Sequence, residues 1–142
     1  MVLPQRHRLR GRGIFDYLYQ QGRRFNRGLL LLRVAPANPQ LLSHHGTHSP
    51  SSEELRFAVV VSSKVSKRSV VRNRLRRSLH DAFVQAAARA TRRFPSEPQS
   101  HWLLLSLKPG AADLSDDELL REWNALLHQS GLIDDRNPHH AQ

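Results

Sequence analysis

Residues 70–83, VVRNRLRRSLHDAF, combine the spacing of a core helix with a dense run of positive charge. Apolar side chains recur at helical spacing and share one arc of a helical projection: Val71, Leu75, Leu79, Ala82, Phe83 and Ala86. Most of the arginines occupy the remaining surface, although Arg72 projects toward the apolar arc. The pattern predicts a helix that begins at Ser66 or Ser69, packs on a core and presents cations to a partner.

No acidic residue close by in the sequence balances the positive charge of this helix. Five arginines occur between residues 68 and 77, and the first acid that follows them is Asp81. Like charges one helical turn apart destabilise a helix unless a counter-charge is supplied. We expect phosphate to supply it, and Asn73 among the arginines suits a sugar hydroxyl or a base edge of structured RNA. The alternative is an ordinary solvated face.

The composition of the whole chain also favours a polyanionic partner. The chain has 142 residues, a formal net charge of +10 and a sequence pI of about 11.4. Arg predominates among the basic residues, and its planar fork matches phosphate oxygens. Residues 6–33 hold eight Arg and one acid, whereas residues 111–136 hold seven acids and two bases. We expect the acidic segment to face away from the polyanion or to close the core.

Several classes of protein are disfavoured. The chain has no Cys, no Walker-type loop and no HExxH, GxSxG or CxxC motif. Its apolar runs are too short to span a bilayer, so we expect a soluble cytoplasmic protein. The acids of DLSDDE, 113–118, suit a capped helix start better than a metal site. The His clusters at 43–48 and 137–142 are expected to lie in loops.

The coarse pattern predicts an α+β protein with a small sheet covered by helices on one face. Its elements are a helix at 13–21, strands at 29–35, 55–63 and 102–107, the basic helix, and a helix at 115–129. Parallel strands flanking the basic helix would have a right-handed connection. We expect one RNA-binding domain at 1–133, with a flexible loop insertion at 36–54, and a polar tail at 134–142.

Aromatic and basic residues interleave near the N-terminus. They are Phe15, Tyr17, Tyr19 and Phe25, with Arg23, Arg24 and Arg27. This arrangement could stack single-stranded bases while holding their backbone. Core packing of the aromatic rings is the alternative, since Phe15 and Tyr19 share one helix face.

The stretch VVVSSKVSKRSVVRNRLRRSLHDAF at 59–83 resembles the protein subunit of bacterial ribonuclease P. That family carries an Arg-Asn-Arg motif and a basic stretch at the start of a central helix, after a strand that ends in Ser and Lys. Here the motif is Arg72-Asn73-Arg74. The resemblance extends to RLRGRGIFDYLYQQGRRF at 8–25 and to LLLSLKPGAADLSDDELLREWNALL at 103–127.

The resemblance implies a small α/β sandwich of order αβββαβα with a left-handed βαβ crossover. That order needs one strand more than the pattern predicts. We expect a hairpin between 29–35 and 55–63, with the additional strand near 64–66 or in the 36–54 loop.

The resemblance also implies the function of a protein cofactor that performs no chemistry itself. Its partners would be a catalytic RNA, whose bound Mg²⁺ ions hydrolyse the phosphodiester, and the 5′ leader of precursor tRNA. The implied contacts with the catalytic RNA are Arg68, Arg72, Asn73, Arg74, Arg76 and Arg77. The implied lining of the leader cleft, between the sheet and the first helix, is Phe15, Tyr19, Arg33 and Lys64.

Four residues depart from the family pattern. Ser63 stands where Lys is usual, Ser69 where Ala is usual, His80 where Arg or Lys is usual, and Leu107 where the last strand usually ends in Arg. Lost cations would reduce leader affinity or metal-linked contacts. Two other functions are weighed beside the resemblance: a generic basic RNA-binding or ribosomal-type protein, and a metal-dependent nuclease that uses the acids at 113–122.

Overall fold

In a computed structural model of the chain, the described residues are 8–9, 11–38, 55–93 and 101–131. Their elements are α1 (Arg12–Gln21), β1 (Arg23–Arg27), β2 (Leu30–Pro36), β3 (Leu55–Val60), α2 (Ser69–Arg93), β4 (His101–Leu107) and α3 (Asp116–Ser130). A 3-10 turn, Ala111–Asp113, precedes α3. The order is therefore αβββαβα, as the resemblance implied. Most of the predicted 36–54 loop and all of the 134–142 tail lie outside the described residues.

The four strands form one mixed sheet in the order β1-β2-β4-β3. β2 pairs antiparallel with both β1 and β4, and β3 pairs parallel with β4. The expected hairpin between 29–35 and 55–63 is wrong, because β4 lies between β2 and β3. Backbone pairing between two segments distant in sequence decides this order, and local patterns carry no record of it.

The additional strand is β1, so its expected place near 64–66 or in the loop is also wrong. β1 pairs with β2 through a two-residue turn at Gly28 and Leu29, and Gly28 has φ +55°. Its sequence, RRFNR, lacks apolar alternation because β1 is an edge strand with only Phe25 half-buried. Charged side chains are common on sheet edges, where they prevent pairing with other chains.

Helices cover both faces of the sheet, which corrects the one-sided arrangement expected from the sequence. α2 and α3 pack on the face that carries Phe57, Leu103 and Leu105. α1 packs on the other face, where Ile14 and Leu18 join a second core cluster: Leu9, Ala35, Trp102 and Leu104. The sheet is buried on two sides because β4 is apolar at nearly every position, with Trp102 and Leu104 facing α1.

The connection from β3 through α2 to β4 is left-handed. The carbonyl oxygen of Phe57 accepts a hydrogen bond from the amide of Leu9 at 3.3 Å, so it points away from β4. The Phe57 side chain stacks on Phe83 of α2. Viewed from α2 with β3 running upward, an L-residue whose side chain faces the viewer has its carbonyl oxygen on the right. The Phe57 oxygen therefore points to the right, and β4 lies to the left of β3. The right-handed connection expected from the general rule for parallel strands is therefore wrong. Buried Val61 and Val65, which follow β3, hold the left-handed connection against the core.

The last helix follows its sequence pattern closely. Ser115 caps α3, since its hydroxyl accepts from the amide of Glu118 and its own amide donates to the Glu118 carboxylate. These Ser115 contacts lower the pKa of Glu118. Gly131 ends the helix with φ +79°. Leu119, Trp123, Leu126 and Leu127 are buried, and α3 closes the core.

Candidate nucleic-acid interface

α2 is amphipathic in the way its sequence indicates. Leu75, Leu79, Phe83 and Ala86 are buried against the sheet and α3, while Val71 and Ala82 are half-buried at the margin. The first turn contains no acid. The positive end of the helix dipole and the arginines therefore favour the same ligand, an anion.

Arg72 and Arg76 are held by neutral acceptors of the protein. Arg72 Nη1 donates to the backbone oxygen of Ser66 at 2.9 Å, so the side chain turns back past the core to the segment before α2. Arg76 Nη1 donates to Asn73 Oδ1 at 2.9 Å, and its Nη2 reaches the Val61 oxygen at 3.4 Å. An arginine has five N–H donors, so both guanidinium groups keep donors for a ligand.

Arg74 has a charged partner. Its Nη1 lies 3.1 Å from Asp116 Oδ1, and its Nη2 donates to the Ala112 oxygen at 3.5 Å. On the other side of α3, Glu122 pairs with Arg27 at 3.0 Å. The acidic C-terminal segment closes the core but does not face away from the cations, because folding brings two of its acids against arginines far away in sequence.

The remaining two arginines are available to a ligand. Arg68 and Arg77 are exposed, and within the described residues neither side chain makes a hydrogen bond or an ion pair. The six residues expected to contact a catalytic RNA thus lie together at the start of α2. Their side chains include three oriented guanidinium groups, two free ones and the Asn73 amide.

His80 extends this face of α2 toward the core. Its ring is half-buried and meets the edge of Phe57, with 6.1 Å between ring centroids. Burial, aided by the positive charge of Arg76 and opposed by Asp81, lowers the pKa of His80 from the usual 6.5. The lowered pKa favours the neutral imidazole, so His80 is a poor substitute for the cation that the family usually has here.

The other face of the sheet, beside α1, carries a surface around Tyr19 and Arg33, which is called the groove because the leader cleft is expected there. Tyr19 is 47% exposed, and the guanidinium carbon of Arg33 lies 4.5 Å from the centroid of its ring. Phe15, one helical turn before Tyr19, is half-buried and packs against the same core cluster as Ala58 and Val60. Three of the four residues expected in the leader cleft, Phe15, Tyr19 and Arg33, therefore share one face. Lys64 is exposed in the turn after β3, and within the described residues its side chain makes no hydrogen bond or ion pair with the other three.

The interleaved aromatic residues do not form one surface. The hydroxyl of Tyr17 donates to the Pro36 oxygen at 2.7 Å, and its ring packs edge-on against Trp102. Phe25 belongs to the opposite core, beneath the guanidinium of Arg23. Because Tyr17 turns toward Trp102 and Phe25 lies on the opposite face of the sheet, only Phe15 and Tyr19 remain beside the groove.

The register of the sheet adds Arg24 to this groove. Arg24 of β1 is directly opposite Arg33 of β2, and both residues lie on the α1 face. Arg33 Nε is buried and has no hydrogen-bond partner in the described part of the chain. Opposed like charges are unfavourable, and an anion between them would remove the penalty. The sequence showed Arg24 only as one of several cations, because register is a tertiary property.

The four departures from the family pattern have different surroundings. Ser63 and Ser69 are exposed near the basic surface. Leu107 is 6% exposed and packs in the larger core cluster, so its side chain adds to the core and does not reach the groove.

No metal centre is evident in the described ranges. No group of three or more His, Asp or Glu side chains there could hold an ion. Three of the acids proposed for a nuclease instead have structural partners, since Glu118 caps α3 and Asp116 and Glu122 form ion pairs. The described helices also include none long and apolar enough to cross a membrane.

Comparison with known proteins decides the family. The family model described as Ribonuclease P matches residues 3–131. The chain belongs to the ribonuclease P protein family. It is 58% identical to the ribonuclease P protein component of Synechococcus sp. strain RCC307, over 94% of this chain and 99% of the relative. It is 47% identical to the ribonuclease P protein component of Prochlorococcus marinus strain MIT 9313, over 94% of this chain and 99% of that relative. Ribonuclease P proteins of this family are components of a tRNA-processing enzyme.

Solved ribonuclease P proteins share the fold at much lower identity. The Staphylococcus aureus protein superimposes with a TM-score of 0.68 at 13% identity, covering 90% of this chain and 98% of that one. The Thermotoga maritima protein superimposes with a TM-score of 0.58 at 17% identity, covering 86% of this chain and 96% of that one. The α+β architecture is therefore maintained while most of the sequence differs.

Proposed function

We propose that this chain is the RNA-binding protein cofactor of ribonuclease P, and that it assists a catalytic RNA in removing the 5′ leader from precursor tRNA. The observation that carries the proposal is the start of α2, where five arginines adjoin a helix terminus with no acid in its first turn. Repulsion among them falls when phosphates bind, and counterion release adds to the affinity. A folded RNA offers phosphates at fixed positions, which suits guanidinium groups that the protein already orients.

The chemistry is assigned to the RNA. Glu118 is engaged in a helix cap and Asp116 and Glu122 in ion pairs, and no group of three or more acids or histidines in the described chain could hold a metal ion. Mg²⁺ keeps several waters and is held readily by phosphate oxygens, so RNA is a suitable host for it. Bound there, Mg²⁺ would activate the attacking water and stabilise the leaving oxygen. The contribution of this chain is binding and orientation.

The α1 groove is proposed to hold the single-stranded leader. Tyr19 and Phe15 offer ring faces on which bases can stack, and Arg33 with Arg24 offers positive charge to the leader backbone. Lys64 would contact the leader beyond the groove, at the end of β3. Stacking tolerates any base, so this groove predicts a weak preference for leader sequence.

Reconstitution at low Mg²⁺ concentration tests the cofactor role. The protein is added to the ribonuclease P RNA of the same source, and cleavage of precursor tRNA is measured. We expect a large gain in kcat/KM, because protein cations replace part of the charge that Mg²⁺ would otherwise neutralise. No gain would refute the proposal.

Substrates with and without a leader test the groove. Tyr19→Ala should reduce the preference of the holoenzyme for precursor tRNA over mature tRNA by about 5- to 50-fold, the loss of one or two stacked bases. Gln20→Ala, at an exposed neighbouring position, is the control and should leave the preference unchanged. Equal effects of the two substitutions would remove Tyr19 from the leader site.

A generic ribosomal-type or DNA-binding role is not favoured. This role rests on charge alone and predicts similar affinity for duplex DNA and for the ribonuclease P RNA. Competition between these two nucleic acids in the reconstitution mixture therefore distinguishes the two functions. A metal-dependent nuclease would cleave RNA without the RNA subunit, and Asp116→Asn with Asp117→Asn would abolish that cleavage.

A further inference from the structure

Asp116 gives one arginine of the Arg-Asn-Arg motif an environment different from that of its neighbours. Arg74 is bound at two points, by the Asp116 carboxylate at 3.1 Å and by the Ala112 oxygen at 3.5 Å. These acceptors belong to the start of α3 and to the 3-10 turn before it. The contact therefore links the motif to an element that begins 42 positions after it.

The other four arginines at the start of α2 have no such ionic partner in the described chain. Arg72 and Arg76 are anchored on uncharged oxygens, whereas Arg68 and Arg77 have no side-chain bond. Phosphate can bind these four without displacing an anion. At Arg74 a phosphate must either displace Asp116 or approach the donors that Asp116 leaves free.

The Arg74–Asp116 ion pair contributes little to the stability of the fold. The Arg74 and Asp116 side chains are 44% and 58% exposed, and ion pairs this open to water contribute little to folding. The start of α3 also does not depend on Asp116. Glu118 completes the capping box, and Asp117 and Glu118 supply further negative charge in the first turn. The main effect of Asp116 is thus on the charge and orientation of Arg74.

We propose that Asp116 is a specificity-determining residue for RNA: it reduces binding to phosphate in general and holds Arg74 where one particular RNA surface can use it. This inference rests on the proposed function. A phosphate that arrives in arbitrary geometry meets the Asp116 charge as well as the guanidinium. A phosphate positioned by the fold of the ribonuclease P RNA meets the free edge of an oriented guanidinium and gains a directed hydrogen bond.

The test compares two isosteric substitutions that remove the same charge. Asp116→Asn removes the partner of Arg74, whereas Asp117→Asn removes an exposed neighbouring acid that makes no side-chain bond within the described residues. Dissociation constants are measured for the ribonuclease P RNA and for an unrelated RNA duplex at the same salt concentration. Discrimination is the dissociation constant for the duplex divided by the dissociation constant for the ribonuclease P RNA.

Asp117→Asn should strengthen both complexes equally and leave the ratio unchanged. Asp116→Asn should strengthen duplex binding by about threefold and leave binding to the ribonuclease P RNA unchanged, so the ratio should fall about threefold. In an Arg74→Ala background, Asp116→Asn should have no effect on the ratio. Thermal unfolding of each variant verifies that the fold is intact.

The possible failures are distinguishable. If the unsubstituted protein does not discriminate between the two RNAs, the proposed function itself fails. If it discriminates and the two Asn variants behave alike, Asp116 is only a general source of negative charge. If the effect of Asp116→Asn persists without Arg74, the inferred orientation of Arg74 is wrong.

Discussion

The five arginines at the start of α2 are equivalent in sequence but not in structure. Arg72 and Arg76 donate to backbone oxygens, Arg74 pairs with Asp116, and Arg68 and Arg77 point into solvent without a partner in the described chain. The two free guanidinium groups can adapt to the phosphates of an RNA, whereas the three fixed groups bind only phosphates that match their positions. Affinity and specificity are therefore expected to depend on different arginines.

Replacement by lysine separates charge from geometry at Arg76. A lysine keeps the charge but cannot bond to Asn73 Oδ1 and the Val61 oxygen through a planar fork. We expect Arg76→Lys to weaken binding of the ribonuclease P RNA by about 1 kcal/mol, or roughly fivefold. Arg77→Lys, at a position without such bonds, is the control and should change affinity by less than about twofold. Filter binding measures both, and equal losses would contradict an orienting role.

His80 should make the stability of the free protein depend on pH. Burial lowers its pKa in the folded chain, while the unfolded chain keeps a value near 6.5. Below 6.5 the unfolded state takes up a proton first, so the contribution of His80 is complete above 6.5 and is lost as pH falls. We expect the free energy of unfolding to decrease between pH 7 and pH 5, and to decrease less in His80→Phe. Urea titrations check this, and identical pH dependence in both proteins would exclude His80 as the source.

At the scale of elements, α3 has two roles. Its buried face completes the core through Trp123 and neighbouring leucines, and its first turn supplies Asp116 to the basic surface. The Ser115 capping box fixes where α3 begins, and therefore where Asp116 stands. A local sequence signal thus positions a residue that acts on a different helix.

Removal of the cap should destabilise α3. Ser115→Ala removes the hydroxyl that accepts from the Glu118 amide, and we expect a loss of about 1 kcal/mol in the free energy of unfolding. The pKa of Glu118 should rise, because Ser115 contacts lower it. Calorimetry and NMR titration measure the two effects. Ser63→Ala, in an exposed turn, should change neither. An unchanged Glu118 pKa in Ser115→Ala would show that the capping box is absent in solution.

At the scale of the whole molecule, the sheet separates two basic surfaces. The start of α2 lies on one side with α3, and the Tyr19–Arg33 groove lies on the other with α1. β4 contributes to both core clusters and joins the two sides. Under the proposed function, this arrangement would let one small protein contact a large RNA and a single-stranded substrate segment together.

The uneven charge predicts a position-dependent response to salt. Arg77→Ala should reduce the slope of log affinity against log salt concentration by about one unit, because one phosphate contact is lost. Arg121→Ala removes the same charge from the exposed surface of α3 and should leave the slope nearly unchanged. Titrations of the ribonuclease P RNA at several salt concentrations compare the two. Equal reductions would indicate that overall charge, and not the α2 surface, governs binding.

Helix positions and the basic surface could be predicted from the sequence, but strand pairing could not. The apolar arc of α2 and the capped start of α3 repeat every three or four residues, so they are visible locally. β1 was missed because an edge strand buries one side chain, Phe25. The split of Tyr17 from Tyr19, and the pairing of Arg24 with Arg33, follow from helix orientation and sheet register, which short-range patterns do not record.

The sequence alone determined the fold class, the partner class and the family, because amphipathic periodicity, net charge and the Arg-Asn-Arg context are all properties of neighbouring residues. The tertiary structure alone decided which arginines are free. Asp116 is 42 positions from Arg74, and the Val61 oxygen that Arg76 reaches lies at the end of another element. Contacts of this kind depend on how β3, α2 and α3 converge, and only the packed core fixes that.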